Sequence, residues 1–330
     1  MNVKAGVRRA LASDVVYPWL RRYASARRPT YFLTYHTLGS DDERFNAWTV
    51  LRVADFLRQM QELRKGFDVV SIDDALAGHE SVDTKGTRPR AVITFDDGHS
   101  GWYEHLLPVV QREALPVTLY TATSHIETGS PYWFDRVMNA VQTRQSTTID
   151  LRAWGLPQWT MGSDVGTANW HEVSTLLEAL KGCSEAVRDA CVKAIEDQTA
   201  TVRRDDFQPL RPLTVNELQT IARSPYVTVG AHSQDHQLLD TLPLDEAVAS
   251  IRQSRETLRR WTGQCVNHFA FPNGNHTPAL VDAVTQLGFR SAATTVQRSL
   301  RRGDSVFQIP RMSIGRFDAM DRFRLKLIGA

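Results

Sequence analysis

Cysteine is scarce: Cys183, Cys191 and Cys265 are the three in 330 residues, an odd number with no CxxC spacing. That argues against a disulfide framework and a thiolate zinc site. Long apolar runs are missing as well. No stretch of about eighteen uncharged apolar residues occurs, so no membrane-spanning helix is expected. Charge of one sign is also lacking. The formal net charge is only +2, which gives no strong field for nucleic acid, and no nucleic-acid-binding motif is seen. A secretory signal is not recognisable, because Asp14 and Pro18 break the apolar stretch 10–20 and no clean small-residue pattern follows. Few cysteines and no signal together predict the cytoplasm.

What is present fits a globular protein, with 42% hydrophobic and 23% charged residues. The N-terminus is basic, with Lys4, Arg8, Arg9, Arg21, Arg22, Arg27 and Arg28 against Asp14. Residues 1–29 read either as an interfacial helix making peripheral contact with anionic lipid or as a solvated helix packed on the domain edge. From residue 30 onward, strand-like runs recur at 31–35, 69–72, 91–95, 117–121, 227–230, 268–271, 291–294 and 307–309. Helical patterns such as 50–63 and 247–261 lie between them. The alternation predicts an α/β fold, a parallel sheet closed or nearly closed as a barrel, with its active site at the C-terminal strand ends. From about 127 to 213 the strand pattern stops, and a mostly helical insertion is expected there. It holds Trp133, Trp154, Trp159 and Trp170. These either stack on sugar rings or form the insertion's own core.

Chemistry-bearing residues gather at strand ends. Asp96 and Asp97 follow the apolar run 91–93. Adjacent buried carboxylates raise each other's pKa, and a cation relieves the strain. His232 and His236, four apart, follow the apolar run 227–230; a helical turn would put both rings on one face. One carboxylate with two histidines is a facial metal-ligand set, leaving the other carboxylate free as a base on water. Phe271-Pro272-Asn273-Gly274 offers backbone N–H groups to an oxyanion. His36, in Tyr35-His36-Thr37, stands where an acid would be useful. Taken singly, each has an ordinary reading: an N-cap or turn, two surface histidines, a plain turn, a structural histidine.

Thr94-Phe95-Asp96-Asp97-Gly98 followed by His232-Ser233-Gln234-Asp235-His236 resembles the polysaccharide deacetylases, the NodB-homology domain of carbohydrate esterase family 4. The resemblance runs from about residue 30 to 316 and is interrupted by the insertion. It implies a distorted, often incomplete (β/α) barrel. It implies Asp96 as general base and Asp97, His232 and His236 as ligands of a divalent metal, usually Zn2+. It also implies the N–H of Asn273 as oxyanion donor. Two positions depart from the pattern. Ala270 stands where many members have the arginine that orients the base, and the region 309–316 lacks the histidine that supplies the acid. Both departures resemble the poly-N-acetylglucosamine deacetylase-like subgroup, whose early Tyr-His pair supplies the acid; that implies His36. Arg311 and Arg316 are the candidates to replace the arginine or to contact an anionic substrate, unless they are surface ion pairs.

The implied activity is metal-dependent removal of N-acetyl groups from amino sugars of a poly- or oligosaccharide or a glycolipid. An O-acetyl esterase or a deformylase acting on a lipid-linked sugar is the alternative. A catalytically inactive glycan-binding protein comes third.

Overall fold

A computed structural model describes residues 3–24, 29–43, 45–79, 88–162, 170–199 and 210–329. Arg27 and Arg28 lie outside them. Helices α1 (Val3–Leu11) and α2 (Tyr17–Ala24) precede strand β1 (Thr30–Tyr35). A small parallel pair follows, β2 (Thr37–Gly39) and β3 (Val50–Arg52). The chain then alternates through α3 (Val53–Arg64), β4 (Asp68–Val69), α4 (Ile72–Ala77), β5 (Arg90–Asp97), α5 (Leu107–Glu113) and β6 (Val117–Thr121). Next come α6 (Thr123–Thr128), α7 (Trp133–Thr143), the hairpin β7 (Thr148–Asp150) and β8 (Gln158–Thr160), α8 (Trp170–Lys181) and α9 (Glu185–Gln198). The rhythm resumes with α10 (Val215–Ala222), β9 (Val227–Ala231), α11 (Leu244–Thr262), β10 (His268–Ala270), α12 (Pro278–Gln286) and β11 (Ser291–Ala293). It ends with β12 (Met312–Ser313) and α13 (Met320–Lys326).

The main sheet is parallel throughout, in the order β11-β10-β9-β6-β5-β1-β12, with β4 on β5. It curls into a distorted (β/α) barrel whose end strands, β11 and β12, do not pair with each other. Helix boundaries follow local chemistry. Thr214 and Glu217 form a reciprocal capping box on α10, and Ser71 accepts from the Asp74 N–H to start α4.

Several segments differ from the sequence reading. Residues 50–52 are strand rather than the first turn of α3, and Ile72 begins a helix rather than ending a strand. Residues 307–309 make only an isolated bridge, from Ile309 to Ala293. Met312–Ser313, too short to show a pattern of its own, is the edge strand on β1. The insertion region carries the β7–β8 hairpin, although a strand pattern was expected to stop there.

Strand alternation divides the barrel. Tyr31, Leu33, Ala91, Ile93 and Phe95 face the covering helices, while Phe32, Val92, Tyr120, Ala270 and Ala293 pack together in a second cluster on the other face. Thr94 and Asp96 continue the phase of Val92, so they rise from the floor of that second cluster toward the strand ends. The insertion has its own core, including Val137, Val141, Leu176, Leu180, Val192 and Ile195. Trp154 and Trp159 pack against it. No helix among the described residues is long and apolar enough to cross a membrane.

Candidate active site

Parallel register sets the two motifs at one height. Asp97 pairs with Thr121, Thr121 with Ala231, and Ala231 with Phe269. His232, one residue beyond that row, donates its backbone N–H to the Thr121 carbonyl at 3.1 Å. The acid and histidine motifs therefore leave their strand tips at one height, on either side of β6.

The backbone then turns sharply. Five non-glycine residues have left-handed φ among the described residues, and four are here: Asp97 (84°), Ser233 (64°), His236 (59°) and Asn273 (55°). Such conformations cost on the order of 1 kcal/mol or more each, and they cluster where function over-determines the structure. Alternation would send Asp96 and Asp97 to opposite faces; the left-handed turn at Asp97 redirects its carboxylate. The histidine segment does not turn helically, as the spacing of four suggested. Left-handed Ser233 and His236 fold it back instead.

The result is one cluster. Asp97, His232 and His236 each offer a ligand atom, all within 4.8 Å of one another. Nε2 of His232 lies 3.7 Å and Nε2 of His236 lies 3.4 Å from Asp97 Oδ1. Nδ1 of His232 donates to the Ala270 carbonyl at 2.7 Å, which leaves Nε2 as the lone pair facing the cluster. Burial holds both imidazoles below their usual range and therefore neutral. Burial, with Asp96 and Asp135 nearby, pushes the Asp97 carboxyl up to about 7. A buried carboxylate beside two neutral imidazole lone pairs is a donor set that suits a divalent cation.

Asp96 has a different environment. Burial alone would raise its carboxyl, but Arg311 overcomes that and holds it below the usual range. Arg311 is fully buried and grips Asp96 with two bonds of 2.7 Å. Its Nε donates to the Thr294 carbonyl at 2.9 Å, and its guanidinium lies over the Tyr120 ring. Arg311 thus fills the place left open by Ala270 and is no surface ion pair. Arg316 does something else: its guanidinium donates to the Glu43 and Val50 carbonyls and does not line the cavity. Asp96 and Asp97 thus differ: Arg311 keeps the first ionised, and burial makes the second readily protonated.

His36 is fixed from two sides. Its carbonyl accepts from the Trp102 indole at 2.5 Å, and its ring meets Trp48 edge-on. Its Nδ1 is buried with no hydrogen-bond partner among the described residues. Burial pushes the imidazole down to about 4 against the pull of Asp96, so the resting ring is neutral at pH 7. Asn273 sits in the Pro272–Gly274 turn, its side-chain oxygen accepting from Lys181 at 3.3 Å.

All six residues named from the sequence line one cavity of about 750 Å³, open at the strand ends. The insertion supplies much of the wall, including Tyr132, Trp133, Phe134 and Trp170. The four insertion tryptophans divide by role: Trp133 and Trp170 reach the cavity, while Trp154 and Trp159 do not line it. Sequence reading missed Tyr132. Its hydroxyl donates to the Asp97 carbonyl at 2.7 Å, and its ring stacks on His125 and Phe134. It also missed His99, buried against Asp135 at 2.8 Å, although a histidine two residues past the aspartates was a visible signal.

The model of the family described as polysaccharide deacetylase matches residues 83–292. No curated protein sequence matches the chain. Among solved structures, the Streptococcus pyogenes deacetylase PplD in complex with acetate superposes with a TM-score of 0.60 at 13% identity, covering 91% of this chain and 98% of that one. IcaB from Ammonifex degensii gives 0.59 at 15% identity, covering 91% and 97%. The de-N-acetylase from Aggregatibacter actinomycetemcomitans gives 0.56 at 13%, covering 90% and 99%. At such identities these likenesses speak for the fold, and the family match speaks for the lineage. With both motifs at the strand tips of a distorted barrel and the family model covering most of its length, this chain belongs to the polysaccharide deacetylases, hydrolases of acylated carbohydrates.

Proposed function

We propose that the chain is a zinc-dependent N-deacetylase acting on amino sugars of a poly- or oligosaccharide or a glycolipid. One observation carries this reading: the Asp97–His232–His236 cluster, the arginine-held Asp96 and the unpartnered Nδ1 of His36 all belong to one cavity. Asp97, His232 and His236 would hold the metal. A divalent ion there polarises an acyl oxygen and acidifies water. Asp96, ionised under Arg311, takes a proton from the attacking water. The water oxygen bonds to the acyl carbon, and the N–H of Asn273 faces the developing oxyanion. The C–N bond then breaks with a proton delivered by His36 to the nitrogen. Because the resting ring is neutral, that proton is the one released by water, handed on from Asp96. Acetate and a free amine leave.

Support for an N-acyl substrate comes from the Aggregatibacter structure, named a de-N-acetylase, while acetate in the PplD complex fits an acetyl group on either nitrogen or oxygen. Trp48, Trp133 and Trp170 in the cavity wall suit the apolar faces of sugar rings. The test is mass spectrometry of N-acetylated and O-acetylated glycans after incubation with zinc-loaded protein. Release of acetate from N-acetylated glycan, abolished in Asp97→Ala and His232→Ala, is the expected result. His36→Ala should slow amide cleavage by roughly 10²–10⁴-fold, the range of a general acid. Full activity in Asp97→Ala would sink the proposal. Cleavage of esters alone, indifferent to His36, would favour an O-acetyl esterase.

A further inference from the structure

Residues 3–24, which hold α1 and α2, form an N-terminal segment that is anchored on one side and uncovered on the other. The anchored side centres on Tyr17, which is buried with the Arg21 and Arg324 guanidinium groups near its ring. Arg8 pairs with Asp321 at 2.6 Å, Arg324 pairs with Asp14 at 2.7 Å, and Arg324 also donates to the Ala12 carbonyl. These contacts hold the segment against α13.

The outward side carries an unusual load. Nine large apolar side chains stand exposed among the described residues, and five of them are here: Val7, Val15, Val16, Trp19 and Tyr23. Trp19 is 74% exposed and Tyr23 is 86% exposed. They are one helical turn apart on α2 and project away from Tyr17. Arg22 is exposed beside them on α2, Arg9 is exposed on α1, and neither makes an ion pair among the described residues. The only acid of residues 1–24, Asp14, is engaged by Arg324.

We propose that this face is a docking surface for an anionic lipid bilayer. Trp and Tyr suit the headgroup level because their rings are apolar with one polar edge, and arginine is drawn to anionic headgroups. The alternatives fit less well. A second copy meeting this face about a two-fold axis would set Arg9 and Arg22 against the same surface on its partner, like charge on like. A nucleic acid would take the arginines but leave the three valines in water. A bilayer satisfies both sets. The segment touches the barrel at the far end from the cavity: the Arg21 side chain of α2 covers Gly66, just after α3 and before β4 starts. None of its residues lines the cavity. Docked this way, the protein keeps its catalytic mouth off the membrane.

The test is sedimentation of the whole protein with vesicles of phosphatidylcholine alone and with about one-third phosphatidylglycerol, at low and high salt. Binding to the anionic vesicles that weakens with salt is expected. Trp19→Ala with Tyr23→Ala should weaken it about tenfold. Arg9→Gln and Arg22→Gln should each weaken it on the order of fivefold. Acetate release from a soluble glycan and the melting temperature should stay unchanged in all of them. No binding to anionic vesicles, or equal binding by the Trp19/Tyr23 variant, would overturn the proposal. So would a concentration-dependent dimer, or binding to an oligonucleotide without binding to vesicles, abolished by the same substitutions. Failure here leaves the deacetylase reading standing, because the two readouts are independent.

Discussion

Two aspartates, adjacent in the chain, are made unlike by what surrounds each. Arg311 is the residue that separates them, and it stands 215 positions from Asp96. A guanidinium is a rigid fork that a carboxylate fits with both oxygens, so lysine is no equivalent. Arg311→Lys should keep the charge, lose one of the two bonds, and let the Asp96 carboxyl rise. The acid limb of the kcat/KM–pH profile should then move to higher pH, with the protein still folded by circular dichroism. Arg311→Met should be worse, because a buried carboxylate without its partner costs about 3–5 kcal/mol. An unmoved acid limb in Arg311→Lys would remove Arg311 from the tuning of the base. The sequence marked Arg311 as a candidate but could not choose it over Arg316, because both are arginines near the same strand end. Only the fold shows that one points into the barrel and the other into backbone carbonyls.

At the scale of elements, the site depends on strand tips and on the entry to α7. Tyr132 and Asp135, just before and within the first turn of α7, reach back to the loop after β5 through the Asp97 carbonyl and His99. The insertion is therefore tied to the Asp97 backbone as well as walling the cavity. Tyr132→Phe removes one hydrogen bond and keeps the ring on His125 and Phe134. It should cost about 1 kcal/mol of stability. It should also weaken zinc binding by about 10–100-fold, the usual effect of a group that orients a ligand. Calorimetric titration with zinc checks this, and unchanged affinity would reduce Tyr132 to a packing residue. Strand existence was legible because buried parallel strands read as apolar runs. Strand ends and the two-residue β12 were not, because register and edge pairing are set by neighbours distant in sequence.

For the molecule as a whole, Asp97 links pH, metal and stability. Its folded value of about 7 lies above the ordinary ~3.9 of an unfolded aspartate. Between those values the folded, metal-free protein holds a proton that the unfolded chain has lost. Its stability from this group should therefore fall as pH rises from about 4 to about 7. A cation competes with that same proton. Zinc should raise the melting temperature little at pH 5.5 and by several degrees at pH 8, since a hundredfold excess over Kd is worth about 2.7 kcal/mol. A gain equal at both pH values, measured by scanning calorimetry, would contradict the linkage. The family match also has a limit at this scale. It spans residues 83–292, so His36 and Arg311 both fall outside it. The barrel brings them in, because β1 pairs with β5 on one side and with β12, next to Arg311, on the other.

The sequence by itself determined the class of fold and the donor groups that gather at its strand tips. Apolar runs alternating with helical patterns encode a parallel sheet, and a donor set of one carboxylate and two imidazoles is fixed by residue type. The tertiary structure alone decided which carboxylate stays ionised, which arginine holds it, and which tryptophans face the cavity. Those are properties of burial and of contacts across a hundred or more residues, and a protonation state depends on both. No local pattern carries that information.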